Sequence, residues 1–84
     1  MRSSIRTYID SIIKDNARYM LESGCSTIAE WFHLNNCDTS DYYLYFDEDE
    51  IVGDEVTQKQ MNEADEYIDR HYDIEITEEN LNKF

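Results

Sequence analysis

A run of four acidic residues, Asp47–Glu50, is the first group in the sequence with the chemistry to bind a ligand. Closely spaced carboxylates supply the oxygen ligands that calcium prefers. An EF-hand loop that starts at Asp47 needs glycine at its sixth position and glutamate at its twelfth, but Val52 and Gln58 stand there. The register that starts one residue later has lysine at the twelfth position. We therefore expect a solvated turn and no dedicated calcium site.

Two cysteines and two histidines carry atoms that zinc binds: Cys25, His33, Cys37 and His71. Strong zinc signatures use pairs of ligands separated by about two to four residues, and the sequence has no such pair. It also lacks the elements of an activated nucleophile and a glycine-rich loop for phosphate. We expect free, buried cysteines, histidines at the surface or its boundary, no cofactor and no catalytic activity.

The net charge of −13 is distributed unevenly along the chain. Residues 1–24 carry four basic and three acidic side chains, whereas residues 25–84 carry three basic and 17 acidic ones. A field of this sign repels nucleic acid and anionic lipid and attracts basic surfaces. The charge therefore argues against direct nucleic-acid binding and membrane binding, and it favours a basic protein as the partner.

The length and composition predict one small folded domain over residues 1–84. The sequence is 40% hydrophobic and 13% aromatic and contains no proline, which differs from a disordered acidic tail. A chain of 84 residues buries a modest core, so a deep catalytic cleft is not expected. Without an apolar export signal or spanning segment, we expect a cytosolic protein, either a monomer or a homodimer.

Apolar spacing and capping residues predict three helices and a final helical turn. The first follows Ser3 or Ser4 as its N-cap and ends at Gly24. Thr27 with Glu30 marks the start of the second, which ends at Asn35 and Asn36. The third starts at Thr57, has Gln60 at the capping-box position and ends near His71, and Thr77 caps a last turn through Leu81.

Alternating apolar residues predict short strands between these helices. Tyr42–Phe46 reads as a strand, Ile51 and Val52 as its short return, and Tyr72–Ile76 as a half-exposed strand after the third helix. The predicted fold is therefore α+β. It has two N-terminal helices, a small two- or three-stranded antiparallel or mixed sheet, and a third helix between strands.

Two segments concentrate the acidic residues and contain the candidate binding site. Residues 38–55 hold eight acids and no base, and residues 63–79 hold eight acids and one base. A small domain is soluble at a net charge of about 2 to 8, and more charge costs stability through self-repulsion. We therefore favour a binding surface over simple solvation. The candidate partner-binding residues are Asp47, Glu48, Asp49, Glu50, Asp54, Glu55, Asp65, Glu66, Asp69, Asp73, Tyr43 and Tyr45.

In size, charge and acidic stretches, the chain resembles small inhibitors that phages and mobile elements direct at host defence. These include anti-CRISPR and anti-restriction proteins that mimic DNA, and the resemblance rests on Asp47–Glu50 and residues 65–69. It implies a protein that occupies the basic channel of a CRISPR–Cas or restriction complex in the host cytoplasm and excludes DNA or RNA.

Two other interpretations remain open at the level of sequence. Acidic bacteriocin-immunity proteins and nuclease inhibitors are similar in size and charge, and residues 41–43 resemble their acidic, tyrosine-rich surfaces. An adaptor or immunity-type module would use its tyrosines as anchors, with the charge serving mainly for solubility. A metal-dependent enzyme or cation-binding module is the third interpretation.

Overall fold

Four α-helices and two short 3-10 helices form the protein in the computed structural model, which describes residues 1–53 and 55–84. The α-helices are α1 (Ile5–Glu22), α2 (Ile28–Asn35), α3 (Gln58–His71) and α4 (Glu78–Leu81). The 3-10 helices are Thr39–Tyr45 and Glu48–Glu50.

The regular apolar face of α1 supplies one wall of the core, as its spacing predicts. Gly24 follows the helix with a φ of +79°, a left-handed conformation that glycine adopts without strain. Ser4 occupies the N-cap position, but its side chain makes no hydrogen bond to the helix, so the expected serine cap is absent there. The buried residues of α1 are Ile5, Ile9, Ile13 and Met20.

Threonine caps start the other three α-helices at the predicted positions. The Thr27 hydroxyl accepts a hydrogen bond from the Glu30 backbone N–H at 3.1 Å. Thr57 and Gln60 form the complete capping box, in which each side chain accepts a hydrogen bond from the other's backbone N–H. Thr77 caps α4 in the same way. The predicted starts of α2, α3 and α4 are confirmed.

The predicted strand Tyr42–Phe46 is wrong, because this segment lies mostly within the 3-10 helix Thr39–Tyr45. One oxygen of Asp41 accepts hydrogen bonds from the backbone N–H groups of Cys37 and Asp38, each at 2.9 Å, and stabilises the start of this helix. Tyr42 and Tyr45, three residues apart, share one face of a 3-10 helix, and both are buried. A period of three therefore replaces the alternation that the sequence suggested.

The other predicted strands do not build a sheet either. Val52 forms one isolated antiparallel bridge with Glu55, and Thr27 forms another with Glu75. Within residues 1–53 and 55–84 the protein is 65% helical and 5% strand, without a sheet, so the predicted α+β fold is wrong.

The extended segment after α3 pairs with the start of α2 and not with a strand of the predicted sheet. The carbonyl oxygens of Tyr72 and Ile74 accept hydrogen bonds from the backbone N–H groups of Ala29 and Ile28, each at 2.9 Å. The first N–H groups of a helix have no partner within that helix. The segment therefore supplies hydrogen-bond acceptors for the first backbone N–H groups of α2. Its pairing with the chain ends where α2 begins.

Three buried tyrosines join these elements through their hydroxyl groups. Tyr72 donates a hydrogen bond to Asp10 on α1 at 2.8 Å, and Tyr42 donates one to Asp65 on α3 at 2.9 Å. The hydroxyl of Tyr45 accepts a hydrogen bond from the Asn36 side chain at 3.0 Å. No buried side-chain nitrogen or oxygen in the described part of the chain lacks a hydrogen-bond partner.

Burial makes ionisation of these tyrosines unfavourable. It raises the pKa of Tyr45 to about 12. Burial and the hydrogen bond to a carboxylate also raise the pKa values of Tyr42 and Tyr72 well above the ordinary value for tyrosine. The core is therefore stable only while the three phenols remain neutral.

We expect the free energy of unfolding to fall as pH rises from about 10 to about 12, because an unfolded tyrosine ionises near pH 10. Tyr45 alone contributes about 2 to 3 kcal/mol to the free energy of unfolding. This contribution is fully present below pH 10 and is lost as the pH rises to the folded pKa of about 12. Urea unfolding followed by circular dichroism across this range measures the slope. Tyr45→Phe should flatten it, whereas Tyr19→Phe at an exposed position should not. An equal slope in both variants would contradict this account.

Candidate functional site

Two elements that carry exposed acids, the 3-10 helix Glu48–Glu50 and α3, are joined directly in the structure. The Gln60 side chain near the start of α3 donates a hydrogen bond to the Glu50 carbonyl oxygen at 2.7 Å. This contact places the acidic 3-10 helix Glu48–Glu50 next to the N-terminal end of α3. With 14 residues at about 1.5 Å per residue, α3 is about 21 Å long.

Two acids of the Asp47–Glu50 run are paired with positive charges from the N-terminus. The Arg2 guanidinium lies 3.6 Å from an Asp47 oxygen, and the terminal ammonium of Met1 lies 2.9 Å from a Glu50 oxygen. These pairs tie the start of the chain to the acidic run and lower its local charge. The two middle acids of the run, Glu48 and Asp49, are exposed and form no salt bridge with the described residues.

Two acids of α3 contact His33, which was not among the residues predicted to bind a partner. Nε2 of His33 on α2 lies 2.6 Å from an Asp69 oxygen, and its Nδ1 lies 3.5 Å from an Asp65 oxygen. The same Asp65 oxygen accepts the hydrogen bond from Tyr42. Asp65 and Asp69 therefore hold α2, α3 and the first 3-10 helix together in addition to contributing charge.

Three other predicted acids are exposed: Glu55, Glu66 and Asp73. On α3, Glu66 faces away from the side that buries Ala64 and Ile68, because its helical spacing puts it on the opposite side. Asp73 follows the end of α3 at His71. Asp54, also predicted to bind the partner, lies outside the described residues.

The two tyrosines predicted to contact a partner have different environments. Tyr43 is 37% exposed, whereas Tyr45 is fully buried. Burial removes Tyr45 from the residues that can touch a partner in this fold. The sequence could not separate them, because in the predicted strand both tyrosines pointed the same way.

Tyr43 borders a groove that we call the aromatic groove, a volume of 530 Å³ between α1, α2 and the first 3-10 helix. Its aromatic walls are Tyr8, Trp31 and Tyr43, and Ile12 and Leu44 also line it. Tyr8 and Trp31 were not predicted to belong to a site, because both fit the apolar faces of helices. Tyr8 is nevertheless 43% exposed, and Trp31 is partly buried.

The cysteines and histidines do not come together as a group. Both cysteines are free thiols, as predicted, but Cys25 is half-buried and Cys37 is exposed, so the expectation of buried cysteines is wrong. His33 contacts α3, whereas His71 lies 3.4 Å from the Arg6 guanidinium. Among residues 1–53 and 55–84, no set of three or more His, Cys, Asp or Glu side chains has an arrangement that could hold a metal ion.

Comparison with known proteins finds no matching family model, no matching curated protein and no matching solved structure. None of the helices in the described residues is long and apolar enough to cross a membrane. The surface chemistry of the chain itself therefore carries the functional argument.

We expect neighbouring acids of α3 to differ in their effect on stability. Asp65→Lys should lower the free energy of unfolding by about 1 to 3 kcal/mol, because the Tyr42 hydroxyl loses its acceptor. Glu66→Lys makes the same change in charge at an exposed site and should alter stability by less than about 0.5 kcal/mol. Urea unfolding of both variants measures the difference. Equal losses would show that Asp65 acts through charge alone.

Proposed function

We propose that the protein is a stoichiometric inhibitor of a host-defence effector, a CRISPR–Cas or restriction complex. It binds the basic nucleic-acid-binding surface of that complex and blocks DNA or RNA binding in the host cytoplasm. The single observation that carries this proposal is the group of exposed acids that lie on the 3-10 helix Glu48–Glu50, on α3 and next to these elements in the sequence. We define the acidic surface by its exposed members: Glu48, Asp49, Glu55, Glu66, Asp69 and Asp73.

The distribution of positive charge supports this proposal. Arg2 and the terminal ammonium engage Asp47 and Glu50 at the edge of the acidic surface. The remaining acids keep their negative charge in solvent. Such a surface attracts a basic groove over a distance of about 8 Å at physiological ionic strength and raises the rate of encounter.

The length of α3 also fits the proposal. One strand of DNA carries a phosphate about every 3.4 Å, so the roughly 21 Å of α3 matches about six phosphates of one strand. Of the six acids of the acidic surface, Glu66 and Asp69 lie on α3, Asp73 follows it, and the other three precede it in the sequence. A groove that neutralises nucleic-acid phosphates with Lys and Arg can therefore pair with the acidic surface instead.

The inhibitor acts by occupying its target and needs no catalytic step or cofactor.

A second candidate function is an adaptor or immunity-type interaction module, and the aromatic groove favours it, because exposed aromatic side chains anchor many protein interfaces. The two functions differ in how binding depends on salt. Screening weakens a complex steered by exposed charge more than one anchored by aromatic side chains.

Charge reversal on the acidic surface tests the proposal. We expect Glu48→Lys with Asp49→Lys, and separately Glu66→Lys with Asp73→Lys, to slow association with the target about tenfold or more at low salt. These positions are exposed and lie outside the contacts that hold the core, so the fold should persist. Association kinetics with the purified target, measured at several salt concentrations, give the result.

Asp15→Lys with Glu22→Lys is the matched control, because it changes the net charge equally but lies on α1. This variant should keep most of the wild-type association rate. The proposal fails if wild-type binding is independent of salt and survives both reversals on the acidic surface. A large loss on Tyr43→Ala with no effect of reversal would favour the adaptor.

A further inference from the structure

The aromatic groove combines flat hydrophobic walls with a rigid support. Trp31 packs edge-on against the buried Phe32, with ring centroids 5.2 Å apart and an interplanar angle of 89°. Tyr8 on α1 and Tyr43 on the first 3-10 helix supply the other rings. Aromatic faces carry a negative quadrupole that attracts cations. The walls therefore suit a planar or cationic side chain.

Hydrogen-bond acceptors line the same groove. The side-chain amide of Asn35 donates a hydrogen bond to the Trp31 carbonyl oxygen at 2.8 Å. The side-chain amide of Asn36 donates one to the Tyr45 hydroxyl at 3.0 Å. Each amide is left with its oxygen as an acceptor. Asp41 adds a carboxylate, and backbone hydrogen bonds from Asp38 and Cys37 hold its pKa below the usual value. The polar side of the groove can therefore accept several hydrogen bonds from one donor group.

The protein's own Arg2 shows how a guanidinium group fits against one of these rings. Its Cζ atom lies 5.0 Å from the centre of the Tyr8 ring, within the range of a cation–π contact. Arg2 also pairs with Asp47, which offsets its charge at this edge of the groove. The rest of the groove, next to Trp31, Tyr43 and Asp41, faces solvent in a chain of net charge −13.

From these contacts we infer that the aromatic groove receives an arginine side chain of the basic partner. The guanidinium group stacks on the ring faces and donates to the Asp41 carboxylate and to the amide oxygens of Asn35 and Asn36. This inference rests on the proposed function and deepens it. The acidic surface steers the partner, and the groove anchors one of its arginines.

The groove selects arginine over lysine because their charged groups differ in shape. A guanidinium group is planar, weakly hydrated and carries five N–H donors, so it can stack on a ring and donate sideways at the same time. An ammonium group is compact and strongly hydrated and gains less from an aromatic wall. The acidic surface alone, acting as a field, discriminates much less between the two cations.

Short peptides of arginine, lysine and citrulline with equal length provide the probes, and Trp31 is the only tryptophan in the sequence. Fluorescence of Trp31 and the NMR shift of its indole N–H report binding at the groove. We expect the arginine peptide to bind about threefold or more tightly than the lysine peptide and to move the indole signal. The uncharged citrulline peptide should bind weakly.

Tyr43→Leu should remove the preference for arginine, because it deletes an aromatic wall in the part of the groove away from Arg2 while keeping an apolar side chain. Tyr19→Leu is the control, since Tyr19 is an exposed tyrosine of α1 that does not line the groove. It should keep the wild-type preference. Circular dichroism and the dispersion of backbone NMR signals establish that both variants are folded.

The possible outcomes separate this inference from the proposed function. If arginine and lysine peptides bind equally and the Trp31 signals do not move, arginine recognition is wrong while the acidic surface remains the binding site. If neither cationic peptide binds at low salt, both proposals fail. A preference for arginine that survives Tyr43→Leu would also overturn the groove as the site.

Discussion

The contacts of one buried residue, Tyr72, hold the fold together. Its hydroxyl donates to Asp10 on α1, and its carbonyl oxygen accepts from the backbone N–H of Ala29 in the first turn of α2. Its ring also packs near Phe32 and Phe84. One residue thus connects the first helix, the second helix and the C-terminal end. The hydrogen bond from Tyr42 to Asp65 on α3 follows the same principle.

This arrangement lets a very acidic chain keep acidic side chains next to its core. The partly buried Asp10 and Asp65 accept hydrogen bonds from the hydroxyls of Tyr72 and Tyr42. Asp47 and Glu50 pair with Arg2 and the N-terminal ammonium. The exposed acids Glu48, Asp49 and Glu66 form no salt bridge with the described residues. Mutual repulsion among them costs stability that a complementary basic partner would recover. The aromatic groove supplies directional contacts that a charged field lacks.

The sequence predicted the α-helices well because their signals are local. Thr57 with Gln60 gives a cap whose two hydrogen bonds need no other part of the chain. The strand at Tyr42–Phe46 was mispredicted because tyrosines favour strands, whereas the two bonds to Asp41 that start a 3-10 helix were not recognised. Exposed acids such as Glu48 could be found from charge alone. The contact between His33 and Asp69 could not, since it joins residues 36 apart in the sequence.

Capture of a partner followed by release with nucleic acid tests the central claim most directly. The immobilised protein is incubated with nuclease-treated bacterial lysate, washed, and eluted with duplex DNA or RNA, and the eluted proteins are identified by mass spectrometry. The account predicts release of a basic nucleic-acid-binding complex that the Glu66→Lys with Asp73→Lys variant fails to capture. The account is contradicted if nucleic acid does not displace the bound proteins and the variant captures them as well as the wild type does.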